Sequence, residues 1–178
     1  TLDEIKTPIK NIGAYINEQN YDVYRAIKEL ENKKIIHIKR LDSQRTLLLD
    51  EKDTIWMKAK PLLKSPIIEE VYVDKLSLEE HKASVVEAGV YALSKKGMIL
   101  SNEVVYAIEN KAYKEIKHTL SHSFEGDNNA IKLQVWKSKI TKSNQNELNP
   151  FALYLSLLNE YDERVKKDYD EFIETYWR

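Results

Sequence analysis

Between Tyr21 and Asn32 the chain reads YDVYRAIKELEN. Val23, Ile27 and Leu30 recur at i, i+4 and i+7, the spacing of one buried helical face. Tyr21, Tyr24, Arg25 and Lys28 recur on a second, polar face. Asn17 or Asn20 is placed to cap the start through its side-chain oxygen, and the helix is predicted to stop near Asn32-Lys33. Ile35 to Ile38 and Thr46 to Leu49 then read as short strands. The KRLDSQR segment between them reads as a polar turn with Asp42 and Ser43 at its tip. Glu51 to Leu63 reads as a helix with Pro61 near its end.

Lys64-Ser65-Pro66 is the predicted boundary, because Pro66 disfavours helix at Ser65. Residues 1–65 and 66–178 then form two domains. In the second, strands are predicted at Ile67 to Val73, Val104 to Ile108 and Ile131 to Trp136. Helices are predicted at Ala83 to Ser94 and Lys111 to Lys117. Thr119 to Phe124 alternates as a strand does, and Thr141 to Glu147 reads as a polar loop. Asn149-Pro150 opens a helix over Phe151 to Leu158 as N-cap and first helical residue. From Asp162 a last helix carries Val165, Tyr169, Phe172, Ile173, Tyr176 and Trp177 as one apolar stripe, which requires burial.

The expected class is α+β: an N-terminal winged helix, then a mixed α/β C-terminal domain with terminal helices. Helix, strand, polar turn and strand make the second half of a winged helix, with the turn as its wing. Only 16 residues precede Asn17, too few for the usual first helix and its partner. Thr1 to Ile5 reads as the entry to the second helix. Either the chain as given lacks its natural N-terminus or the first helix is absent.

Charge sharpens this picture. The 178 residues carry a net charge of −1. Yet Arg25 to Arg45 holds seven basic and three acidic residues, a local excess of four positive charges. Phosphate contacts supply most non-specific affinity for DNA, and base contacts supply sequence preference. The candidate DNA-binding set is therefore Gln19, Asn20, Tyr21, Tyr24, Arg25 and Lys28 on the recognition helix, with Lys39, Arg40 and Arg45 on the wing. Glu18 and Asp22 oppose phosphate if they face the duplex. The competing reading is a solvated helix and hairpin, with Arg25 paired to Glu29, serving as a protein-contact adaptor without DNA.

Other chemistry is set aside. The absence of cysteine excludes disulfides and thiolate metal sites. A reducing cytoplasm is the expected compartment. No segment approaches the roughly 20 apolar residues of a membrane span, and no secretory signal pattern opens the chain. His118 and His122 stand at i, i+4, a spacing that can hold a metal on a helix. They fall in the strand-like stretch and read as surface histidines. Glu115-Ile116-Lys117 matches a minimal nuclease E-x-K element, with Asp74 as the candidate metal-ligating aspartate. Three-residue matches arise by chance, so it reads as an exposed charge pair. With four glycines there is no phosphate-cradling loop. Gly89 and Gly97 read as helix packing and a C-cap, and the tryptophans as core. Neither enzymatic activity nor a cofactor is expected.

YRAIKELENKKII resembles the recognition-helix segment of MarR-type and related winged-helix regulators. AKPLLKSPIIEEVYVD, EAGVYALSKKGMI followed by VVYAI, and NPFALYLSLLNEYDERV resemble segments of AbiE-type abortive-infection (type IV toxin–antitoxin) regulators. The first is similar to the joining segment, the second to the helix and strand of the second domain, the third to its C-terminal helices. The resemblance implies a transcriptional autoregulator that binds double-stranded operator DNA beside its own gene. It also implies an antitoxin-like second domain acting alongside a nucleotidyltransferase-type toxin. A homodimer is compatible with this class. The missing first helix and the polar loop Lys137 to Glu147 depart from the pattern.

Overall fold

Val23 and Ile27 are buried against Ile9, Ile35 and Ile36, and this apolar cluster organises the first of two compact units. The computed structural model describes residues 7–9, 12, 20–41, 44–144 and 146–177. Its units are Thr1–Leu63 with Trp177–Arg178, and Lys64–Tyr176. The class is α+β, with two small sheets and a C-terminal helix.

The first unit contains β1 (Thr7–Pro8), α1 (Asn20–Asn32), β2 (His37–Leu41), β3 (Gln44–Leu48), α2 (Lys52–Ala59) and a 3-10 turn at Lys60–Leu62. The strands form an antiparallel sheet in the order β1-β3-β2. Ile38 and Leu47 from the hairpin and Ile55 and Ala59 from α2 pack on the buried cluster. Ile9 and Ile12 are helical. Thr1 to Ile5, expected to enter a helix, lie outside the described residues, as do Asn17, Asp42 and Ser43.

The end of α1 explains two departures from expectation. Lys34 N donates to Glu31 O at 2.9 Å and Ile35 N to Leu30 O at 3.0 Å, the paired bonds of a Schellman stop. Ile35 and Ile36 are consumed in closing the core at this stop, so β2 begins only at His37. Leu30, expected on the buried face, is 37% exposed. The expected turn from Lys39 to Arg45 is largely strand, since β2 runs to Leu41 and β3 starts at Gln44.

The second unit contains β4 (Ile67–Asp74), α3 (Lys75–Glu79), a 3-10 turn at Lys82–Ser84, β5 (Val85–Glu87), α4 (Gly89–Lys95), β6 (Val105–Glu109), α5 (Asn110–Ile116), β7 (Ala130–Trp136), α6 (Pro150–Ser156) and α7 (Glu163–Trp177). Its sheet runs β4-β7-β6-β5, parallel between β6 and β7 and antiparallel elsewhere. Side chains alternate across β7. Ile131, Leu133 and Val135 join the core formed with Val73, Leu78, Ile108 and Tyr113. Lys132, Gln134 and Trp136 lie on the other face. Gly89 starts α4 there with φ +58, and a Cβ on it would stand 3.2 Å from Val105 Cγ1. Glycine alone suits both constraints.

Val85 and Val86, expected within one helix over Ala83 to Ser94, instead pair with Ile108 and Ala107 and are buried in the sheet. Thr119 to Phe124 forms no strand; only His122 bridges to Val73. Asn149 Oδ1 accepts from Ala152 N at 2.7 Å, with Pro150 as the first residue of α6. Along α7, Val165, Tyr169 and Ile173 are buried, and Tyr154 meets Tyr169 edge-on at 5.1 Å. Tyr176, expected in the same stripe, is 59% exposed. The side chain of Trp177 lies outside the described set.

Lys34 holds φ at +57, a left-handed conformation that strains any residue with a Cβ. Its side chain is exposed. Lys34→Gly is expected to raise unfolding free energy by about 0.5–1 kcal/mol. Urea denaturation measures this, and an unchanged or lower midpoint would contradict the strain.

Candidate nucleic-acid interface

Burial of Val23 and Ile27 fixes the rotation of α1 about its axis. Tyr21, Asp22, Tyr24, Arg25 and Lys28 are thereby turned to solvent, with Tyr21 75% exposed. These include four of the six residues expected on the recognition helix. Asn20 is the first residue of α1, and Gln19 lies outside the described residues. The exposed face combines two aromatic rings, a guanidinium and an ammonium.

Arg25 is not paired with Glu29 as the competing reading expected. Its Nη2 lies 3.3 Å from Asp22 Oδ1, one turn back, with both side chains largely exposed. Asp22 sits in the first turn of α1, where backbone N–H groups favour negative charge. The pair is therefore a local helix contact. An exposed pair of this kind is worth only about 0.3–0.5 kcal/mol, little enough for a stronger anion to displace Asp22.

The hairpin places the other three cations. Register sets Ile38 opposite Leu47, Lys39 opposite Thr46 and Arg40 opposite Arg45. Because side chains alternate along a strand, Arg40 and Arg45 share the face that carries Ile38 and Leu47. Lys39 points to the opposite face. The three residues expected to act as one clamp are thus divided two against one. All three are exposed, and no described acidic residue forms an ion pair with any of them. Facing like charges destabilise an antiparallel pair, so the Arg40–Arg45 arrangement costs the hairpin stability.

Beside the hairpin, Asp50 bonds Lys58 and lies 3.8 Å from His37 Nε2. The Lys58 contact, opposed by desolvation, holds the Asp50 carboxyl below its ordinary range. This acid is committed to α2 and does not neutralise the arginine pair.

The residues weighed for other chemistry are not brought together among the described residues. Glu115 and Lys117 are exposed at the end of α5. Asp74 is engaged as the N-cap of α3, accepting from Leu76 N at 2.9 Å and Ser77 N at 3.1 Å. His118 and His122 are exposed outside any helix. Among the described residues no group of three His, Asp or Glu is placed to hold a metal ion. Nor is any helix among them long and apolar enough to cross a membrane. No protein-family model matches the chain, and no curated protein or solved structure is found to be similar to it.

Replacing one member of the like-charge pair tests the register. Arg45→Glu creates an opposite-charge cross-strand pair and is expected to raise stability by about 0.2–1 kcal/mol. Thermal denaturation at low and high salt checks this. The gain should shrink in high salt, and a loss of stability at low salt would contradict the pairing.

Proposed function

We propose that the protein is a sequence-specific DNA-binding transcriptional regulator whose first unit acts as a winged helix. The carrying observation is the exposed Arg40–Arg45 pair, two facing cations without a described acidic partner. A phosphate between them offsets their repulsion. In this reading α1 enters the major groove and the β2–β3 hairpin is the wing. Tyr24, Arg25 and Lys28 face base edges and phosphates, while Arg40 and Arg45 hold the backbone. Lys39, on the other hairpin face, contributes less. The resemblance of three later segments to AbiE-type regulators supports an autoregulating antitoxin. It would bind an operator beside its own gene, and the second unit would act alongside a nucleotidyltransferase-type toxin in the cytoplasm.

The Asp22–Arg25 pair favours a second reading, a protein-contact adaptor in which Arg25 only braces its helix. Fluorescence anisotropy with the duplex upstream of its own gene and a scrambled duplex separates the two. Joint Arg40→Ala and Arg45→Ala substitution should weaken both complexes alike. It should also reduce the slope of log affinity against log salt by roughly two units, about one per lost phosphate contact. An unchanged slope would remove the hairpin from the interface.

Arg25→Ala tests base reading. A bidentate arginine–guanine contact is worth about 1–3 kcal/mol of discrimination. The variant should lose that much on the upstream duplex and much less on the scrambled one. Asp22→Asn should tighten both complexes by removing a competing anion. Wild-type affinity and selectivity in a folded Arg25→Ala protein would support the adaptor instead.

A further inference from the structure

Tyr21 stands in the first turn of α1 with its side chain 75% exposed. Among the described residues it has no ring, cation or hydrogen-bond partner. A single exposed ring is ordinary on a protein surface, and this one is distinguished by its alignment. Arg25 and Lys28 follow it at i+4 and i+7 on one helical face, and both are exposed. Burial of Val23 and Ile27 keeps that face outward. An α-helix rises about 1.5 Å per residue, so Tyr21 and Arg25 are offset along α1 by about 6 Å. Bases along one strand are spaced by about 3.4 Å. The two side chains therefore address positions about one or two base pairs apart.

What Tyr21 can read there follows from the chemistry of the groove. Base edges in the major groove present hydrogen-bond donors and acceptors and one apolar group, the 5-methyl of thymine. A ring held in water gains by covering that methyl. Covering a polar edge would instead strand its donors or acceptors. The phenol hydroxyl at the ring's tip keeps a polar partner in water. Arg25 has the fork that guanine accepts, once the base displaces Asp22 from it.

We infer that Tyr21 selects thymine through its 5-methyl group, about one or two base pairs from the guanine read by Arg25. The operator then carries a thymine and a guanine at a fixed short spacing. This rests on the DNA-binding reading of the first unit and adds to it a base identity that Arg25 does not supply.

Fluorescence anisotropy of the full chain with two versions of the duplex upstream of its own gene tests it. One carries thymine and the other deoxyuridine throughout, which removes only the methyl groups. The wild-type protein should bind the deoxyuridine duplex more weakly by roughly threefold or more. Tyr21→Ala should show a similar loss on the thymine duplex and no discrimination between the two. Its slope of log affinity against log salt should stay unchanged, because no phosphate contact is removed. Tyr21→Phe should behave as wild type. Deoxyuridine placed at one thymine at a time should locate the sensitive position. It should lie near a guanine whose 7-deaza substitution weakens wild-type binding but not that of Arg25→Ala.

A wild-type protein that does not prefer the thymine duplex to a scrambled one would overturn the DNA-binding reading and this inference with it. Specific binding with equal affinity for the thymine and deoxyuridine duplexes would overturn the inference alone. So would discrimination that persists in Tyr21→Ala, which would place the methyl effect in duplex shape or on another side chain.

Discussion

The burial of Val23 and Ile27 is the constraint from which the rest of the first unit follows. These side chains meet Ile9, Ile35 and Ile36 and leave α1 one orientation about its axis. Burying a large aliphatic side chain is worth about 1.5–3 kcal/mol. The Asp22–Arg25 pair on the other face is worth only a fraction of that. Packing therefore decides where Arg25 points, and electrostatics only decides what it touches. The same core receives Ile38 and Leu47, which fixes the hairpin's face. Strand alternation then places Arg40 and Arg45 together and sends Lys39 away. A concentration of cations visible in sequence becomes a directional one through apolar packing.

An analogous constraint governs the second unit. β7 lies between β4 and β6 and is buried on both faces. One face is wholly aliphatic. The other includes Lys132 and Gln134, which must find partners where water is scarce. Glu103, Tyr72 and Glu70 supply most of them. Two polar atoms on this face, Gln134 Oε1 and Trp136 Nε1, are buried without a hydrogen-bond partner among the described residues. Each such atom carries a stability cost.

Much of the secondary structure was legible because apolar periodicity and punctuation agreed. β4, β6, β7, α5 and the Asn149-Pro150 start of α6 all fall close to their predicted places. The departures share a cause. Ile35-Ile36 and Val85-Val86 are β-branched pairs whose role depends on what they meet. The first closes a helix end, whereas the second forms a short strand beside β6. Local pattern does not distinguish these outcomes. Leu30 and Tyr176 fell on predicted apolar stripes but lie where the packed surface runs out. At the candidate interface, the positive charge and exposed face of α1 were readable. The split of the hairpin cations was not, because it depends on strand register. The Asp22–Arg25 pair also eluded reading, since i+3 and i+4 partners compete on one helix.

The central claim is that the face of α1 and the tip of the β2–β3 hairpin together contact DNA. Backbone amide NMR of the full chain, titrated with the duplex upstream of its own gene, tests it most directly. The account predicts saturable shifts at Tyr21, Tyr24, Arg25 and Lys28, and at Arg40 and Arg45. The amides of Ile131, Leu133 and Val135 in the aliphatic core should remain unmoved. Saturable shifts confined to other surfaces, or none at concentrations well above those of specific protein–DNA complexes, would contradict it.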